Sequence, residues 1–402
     1  MRNLTITIPF VAKGSKSFKQ INLAFFIAGF TIFTVLYCVQ PLMPYFVEHF
    51  KISETKASIA LSISTFTLAI SLLFFGAISE VLGRKKIMVF SVIGTSLLAC
   101  ILPFISTFNL FIIIRGFLGF FLAGLPAIAM AYLGEEITQE DIGSAIGLYI
   151  SGNALGATFG RVFTGYIASM SGYETALQAV AAISLVASIL FTILLPSSQH
   201  FQAKPLQLRY LTAMYIQHLK DFTLLRYFLL GFLLLGSNIA LFNYIGFLLK
   251  TKEYQLSDNL ISCIYLLFLL GMISSTYVSK MEKSLGRSIT FRLTILLLIF
   301  GSILTLLPLL AAKVIGLACS VFAFFSGHSL ASSQVSKTAL LNKAQASSLY
   351  LLFYYLGSSV GGTVAGIGWQ HYGWKGVVSI VIISMISAFL LIGNNNKKVS
   401  IL

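Results

Sequence analysis

Gly76-Ala-Ile-Ser-Glu80-Val-Leu-Gly83-Arg84-Lys85-Lys86 decides how this chain is read. It joins two apolar runs, Ala57–Ile78 and Ile87–Ile105. Each run approaches the roughly 20 residues that a helix needs to cross a bilayer. A turn so short, carrying three consecutive basic residues, returns the chain to the side it left. Gly83 permits a tight turn, Gly76 permits close backbone approach, and Glu80 sets one acid against the basic cluster. The plainer reading is a basic loop that only anchors topology.

The rest of the chain has the same character. Of 402 residues, 57% are hydrophobic and 10% are charged, with a mean hydropathy of +0.91. Soluble domains carry about a quarter charged residues, so most of this surface faces lipid. The net charge of +15 could point to nucleic acid, but the lysines and arginines cluster between apolar runs. That is the pattern of a membrane surface, and no nucleic-acid partner is expected. Cys38, Cys100, Cys263 and Cys319 all fall within apolar segments without metal-like spacing, so they read as free thiols. No metal or cofactor is expected.

Twelve segments are long enough to span: 21–43, 57–78, 87–105, 110–133, 144–168 and 176–195, then 227–249, 260–278, 293–310, 314–335, 347–367 and 376–392. The first is read as an uncleaved span, because its apolar run continues past the length of a signal sequence. With the N-terminus in the cytoplasm, inside segments hold 19 lysines and arginines and outside loops hold six. That asymmetry puts both termini inside. The expected fold is an all-α membrane protein of two six-helix bundles, 21–195 and 227–392. A basic cytoplasmic linker, 196–226, joins them, and tails 1–20 and 393–402 flank them.

A weak internal repeat supports duplication. Leu82-Gly83-Arg84 returns as Leu285-Gly286-Arg287, Phe120-Phe121-x-x-Gly124 as Phe324-Phe325-Ser326-Gly327, and Gly152-x-x-x-Gly156 as Gly357-x-x-x-Gly361. Parallel six-helix repeats mark transporters. Pro41 and Pro44 should break the outer end of the first helix. In the linker, Leu206, Leu208, Tyr210 and Leu211 suggest an amphipathic segment on the cytoplasmic leaflet.

Charge inside the spans narrows the site. Arg115 lies 23 residues before the turn near residue 138, and Arg161 lies 23 after it. In an antiparallel pair they share a depth. All 12 acids lie in loops or at helix rims, so none is expected at that depth. The two guanidiniums either line a central cavity and attract an anionic substrate, or cap backbone carbonyls on different faces. His328 has the one imidazole within a span and suits a proton relay or a packed hydrogen bond. Asn22, Gln40, Asn153, Asn238, Asn243, Tyr354 and Tyr355 make up the polar lining. Glu80, Glu135 and Glu136 are weaker coupling candidates.

The opening stretch resembles the signature of the major facilitator superfamily, glycine–x–x–x–acid–x–x–glycine–arginine–lysine, with Glu80 where aspartate is usual. Gly76, Glu80, Gly83, Arg84 and Lys85 carry the match. Arg115-x-x-x-Gly119 resembles the family's helix-4 motif, with Leu118 replacing the common glutamine. Gly152, Gly156 and Gly160 resemble the glycine stripe of its antiporters, although Ala157 replaces the usual proline and Arg161 the last glycine. Together these resemble the twelve-helix drug/proton antiporter branch, and within it YnfM-like bacterial inner-membrane exporters. The runs Tyr149-Ile-Ser-Gly-Asn-Ala-Leu-Gly156 and Phe353-Tyr-Tyr-Leu-Gly-Ser-Ser359 carry the last step.

The resemblance covers all but the tails and linker. It implies a monomer that moves a small-molecule substrate by alternating access, with the proton as coupling ion and the lipid bilayer as partner. Efflux by antiport leads, and proton-coupled uptake of a sugar or organic anion is the alternative. An enzyme or receptor would need a soluble catalytic domain or a titratable cluster. An ATP-driven pump would need a phosphate-binding loop, which the sequence does not contain.

Overall fold

The computed structural model describes residues 9–203 and 205–392. Arg2, Lys204 and the expected tail 393–402 lie outside the described residues. Ten continuous helices are long and apolar enough to cross a membrane. Two of these are pairs. Ile142–Leu194 breaks at Gly172 (φ 85°, ψ 164°) and Lys343–Leu391 at Gly373 (φ 57°, ψ −141°). Positive φ there admits glycine without strain, and each break folds one helix back on the next.

The described residues therefore carry twelve spans: α1 Lys16–Tyr37, α2 Glu54–Leu82, α3 Arg84–Ile101, α4 Phe108–Glu136, α5 142–171 and α6 173–194, then α7 Phe222–Lys250, α8 Asp258–Leu285, α9 Arg287–Leu304, α10 Leu310–Thr338, α11 343–372 and α12 374–391. Most outrun the expected apolar cores, and three of them start on a polar cap. Ser15 accepts the Phe18 N–H, Ser53 that of Lys56, and Asp221 those of Thr223 and Leu224. So α1 begins inside the expected tail, and α7 begins inside the expected linker.

Helices α1–α6 form one bundle and α7–α12 the other. Small residues set the packing within each, since lipid supplies no hydrophobic drive between helices. A Cβ on Gly152, Gly156 or Gly160 of α5 would strike the α1 backbone at Phe26, Phe30 or Thr34. One on Gly357 or Gly361 of α11 would strike α7 at Phe232 or Gly236. The same device thus serves both halves. Large apolar side chains such as Phe66, Phe74, Phe117, Ile193 and Leu390 are exposed and form the lipid-facing belt.

α1 ends at Tyr37. A turn carries Pro41, and the short helix Met43–Phe50 accepts Pro44 in its first turn, where no N–H is needed. The linker contains a helix, Leu208–Lys220. Tyr210 Oη donates to Asn342 Oδ1 at 3.3 Å, and the His218 ring lies 3.3 Å from the Asn342 carbonyl. The preceding segment binds the other bundle, where the N–H groups of Gln199 and His200 donate to Glu136. We call this the linker end and the opposite one the far end.

The polar bonds that join the bundles gather in the far half: Gln40 to Asn243, Tyr45 to Asp258, Ser58 to the Gly362 carbonyl and Ser169 to Asn259. In the linker half, Gly143, Ser144 and Gly147 of α5 and Met272 and Thr276 of α8 are exposed. The structure is closed at the far end and open at the linker end.

Candidate functional site

The α2–α3 turn is built around Gly83, whose φ of 100° only glycine takes without strain. That conformation ends α2 and aims Arg84 across to α4. Arg84 is nearly buried, and its Nη2 meets Glu135 Oε1 at 2.8 Å while Nη1 donates to Ser79 Oγ at 2.7 Å. Phe201 of the linker lies 5.6 Å from the guanidinium. Glu80 takes no part in this pairing. It lies near Tyr215 of the linker helix, and burial together with that carboxylate raises the Tyr215 phenol above its ordinary value. Lys85 is half-buried beside Arg84. Gly76 departs from expectation, since nothing lies within 4 Å of the place its Cβ would take. The bundles have separated at this end, so no backbone approaches it.

The second bundle repeats the arrangement with the acid moved. Gly286 has φ 80°, Arg287 Nη1 donates to Gln334 Oε1 at 2.7 Å, and Gln334 Nε2 donates to Glu282 at 2.7 Å. The acid sits on α4 in one half and on α8 in the other.

The two span arginines share a depth but differ in surroundings. Arg115 is fully buried within its own bundle. Nε donates to the Ala60 carbonyl at 2.9 Å, Nη1 to Val35 at 3.1 Å and Nη2 to Leu36 at 2.9 Å. Those acceptors lie on α1 and α2, so Arg115 ties three helices and does not reach the space between the bundles. Arg161 does reach the interface. Its Nε donates to Gln40 Oε1 at 2.5 Å and its Nη1 to the Ala157 carbonyl at 2.7 Å. Its guanidinium lies 3.7 Å from the Tyr37 ring centre and 4.2 Å from that of Phe268 on α8. Among the described residues no ion pair neutralises it, although it is only 1% exposed.

Gln40 extends the chain into the second bundle, where its Nε2 donates to Asn243 Oδ1 at 2.7 Å. Arg161, Gln40 and Asn243 thus close the far side of the space between the bundles. Polar atoms without protein partners lie on α7. Asn238 is buried with neither amide atom bonded to protein, and Asn243 has its Nδ2 unbonded, while the Tyr149 hydroxyl and the Asn153 amide lie beside each other. Such unbonded groups cost free energy unless water or a ligand meets them. His328 Nδ1 lies 2.8 Å from Tyr350 Oη, and its ring lies 4.5 Å from that of Tyr354. The ring centre of Tyr265 on α8 lies farther from the Arg161 guanidinium, at 6.0 Å. The surroundings of Arg161 are therefore aromatic and amide-bearing. Among the described residues no three His, Cys, Asp or Glu side chains converge as metal ligands.

Sequence reasoning missed the far-end cluster of Tyr45, Glu48, Lys250 and Asp258, where Lys250 Nζ meets Asp258 at 2.9 Å. These residues come from two loops more than half the chain apart, and no spacing announces them.

Comparison with known proteins agrees with this architecture. The family profile described as Major Facilitator Superfamily matches residues 25–344. An uncharacterized MFS-type transporter, YybF of Bacillus subtilis (strain 168), is 46% identical over 384 residues, covering 96% of this chain and 95% of that protein. The inner membrane transport protein YnfM of Escherichia coli (strain K12) is 36% identical over 382 residues, covering 95% and 92%. The solved structure of a single-site mutant of the nucleoside transporter NupG superposes with a TM-score of 0.73 at 17% identity, covering 92% of this chain and 98% of that one. Twin six-helix bundles, the glycine-turn signature and full-length relatives lead to one conclusion: this chain belongs to the Major Facilitator Superfamily.

Proposed function

We propose that this transporter exports a small organic anion, a metabolite or a drug, across a bacterial inner membrane in exchange for protons. The observation that carries the reading is Arg161. A cation held in a membrane span costs about 2.5–3.5 kcal/mol on insertion scales. Gln40 and the Ala157 carbonyl each accept one bond from the guanidinium, and the Tyr37 and Phe268 rings stack on it, but no carboxylate among the described residues pairs with its charge. A carboxylate or phosphate entering from the open end would supply that charge, with Tyr354 and the unbonded amides of Asn238 and Asn243 as further contacts.

The excess of basic residues in the linker-end loops supports a cytoplasmic linker end, which makes the open side the cytoplasmic one. The relative named as an inner membrane transport protein supports the location. The α5 glycine stripe, which the notable antiporters of the family share, supports exchange. His328, hydrogen-bonded to Tyr350 and stacked on Tyr354, is the proposed proton relay. One chain contains both bundles and the whole path, so a monomer suffices.

The test is untargeted mass spectrometry of medium and cytosol from cells making the protein and from cells carrying empty vector. Faster loss of anionic solutes to the medium supports the reading. Accumulation of solutes inside would instead make the protein an importer.

A further inference from the structure

α8 is not wound evenly. Ile264–Leu269 forms a 3₁₀-helix between the α-helical stretches Asp258–Cys263 and Leu270–Leu285. Such runs rarely exceed three or four residues, because their hydrogen bonds are poorer, yet this one has six. The repeat that carries Gly83 to Gly286 maps the segment onto 61–66 of α2, which is α-helical throughout. The fold itself therefore does not require the tighter winding.

The winding sets two rings on one face. Side chains three apart eclipse in a 3₁₀ turn, whereas in an α-helix they stand about 60° apart. Tyr265 and Phe268 are such a pair. Their rings pack on Phe242 of α7, at 6.0 and 4.5 Å, and their centres lie 6.0 and 4.2 Å from the Arg161 guanidinium of α5. Phe268 is 6% exposed, and Phe325 of α10 meets it edge-on. The contact with Arg161 crosses the bundles and belongs to a seam. From the far end inward, Ser169 of α5 bonds Asn259 of α8, a Cβ on Gly165 would strike Ser262, and Arg161 meets Phe268. Toward the linker end the seam gives out, since a Cβ on Gly147 or Gly143 would meet nothing within 4 Å.

We propose that Phe268 is a positioning residue for Arg161, presented by the 3₁₀ winding so that the span cation itself ties α5 to α8 where the bundles part. The negative face of the ring attracts the guanidinium, and both groups are out of water, where such contacts are strongest. Gln40 and the Ala157 carbonyl hold the cation from the first bundle, and Phe268 holds it from the second. Ordinary α-helical winding would swing the ring off it. A carboxylate that pairs with the guanidinium cancels the charge to which the ring is attracted, so binding slackens this seam. The inference deepens the anion-site reading above and rests on it for its place in the cycle.

The test uses the full chain in lipid nanodiscs with no added solute. Amide hydrogen exchange is read over 258–270 of α8 and 161–171 of α5, where rates follow the local opening ratio. Phe268→Leu should speed exchange on both sides of the seam about tenfold, the scale of a desolvated cation–π contact. In an Arg161→Gln chain the same substitution should change it by less than about twofold, because the partner charge is gone. In Gln40→Glu, where a fixed carboxylate stands beside the guanidinium, the Phe268→Leu effect should shrink. Trifluorophenylalanine at position 268 keeps the shape of the ring and drains its face of charge, so it should reproduce most of the Leu effect even if Phe268→Leu does not fold. An equal effect in the native and Arg161→Gln chains, or a fluorinated ring that exchanges like the native one, overturns the tie. An undiminished effect in Gln40→Glu overturns its release by an anion. Export is read separately. Release of cations alone, beside an Arg161-dependent effect, would overturn the anion site and support the tie.

Discussion

Arg161 of the first bundle and Asn243 of the second are joined through a single side chain, the amide of Gln40. Its oxygen accepts from the guanidinium at 2.5 Å, and its nitrogen donates to the asparagine at 2.7 Å. The residue that would hold the substrate's charge is thereby wired to the contact that keeps the far end closed. A ligand drawing Arg161 away from Gln40 weakens that contact, which couples binding to opening without any longer pathway.

Gln40→Glu should place a carboxylate beside Arg161 and neutralise it. The account predicts a folded protein, since the side chain is nearly isosteric, whose export of anions is lost. Gln40→Leu should instead loosen the far end. Losing the neutral Gln40–Asn243 hydrogen bond, the one of the two that crosses the bundles, costs about 0.5–1.5 kcal/mol, a shift of about two- to tenfold in the open-to-closed ratio. Cysteine cross-linking across the far end reads it.

Gly156→Leu should destabilise the first bundle, because no Cβ fits against the Phe30 backbone. Overpacking typically costs about 1–3 kcal/mol. The Tm of the purified protein should fall. Gly147→Leu, where nothing lies within 4 Å of a Cβ, should leave it nearly unchanged.

Arg84→Ala should cost about 1.5–3 kcal/mol by stranding Glu135 and Ser79. Glu80→Gln should barely move Tm in this conformation, since Glu80 makes no ion pair among the described residues. Thermal unfolding in detergent separates the two.

Lys313→Met should destabilise the second bundle. Its ammonium, 3% exposed, donates to the Thr305 and Leu307 carbonyls at 2.5 and 2.7 Å and so caps the C-terminus of α9. The prediction is a lower Tm with the native pattern of exported solutes retained.

The spans, the repeat and the role of Gly83 were legible in the sequence because lipid imposes length and apolarity, and a reversed chain needs a turn. Arg115 and Arg161 show where legibility stops. Counting from the turn fixed their common depth but not the direction each faces about its helix axis. A rotation of one residue, about 100°, separates a carbonyl cap from a cavity. Gln40 could be named as polar lining, yet its two partners lie on α5 and α7, and only the fold brings them together. Asp258 looked like one more rim acid because its partners, Tyr45 and Lys250, belong to other segments. The linker helix was hinted at by Tyr210 and Leu211, but its anchor, Asn342, lies in a loop of the second bundle.

The most direct measurement of the central claim compares solutes released by cells making the native protein, Arg161→Ala and Arg161→Lys, by mass spectrometry of the medium. The account predicts that anionic solutes leave with the native protein, that Arg161→Ala abolishes their release, and that Arg161→Lys, which keeps the charge but not the planar fork, retains part of it. Undiminished release from Arg161→Ala, or release of cationic solutes alone, would contradict it.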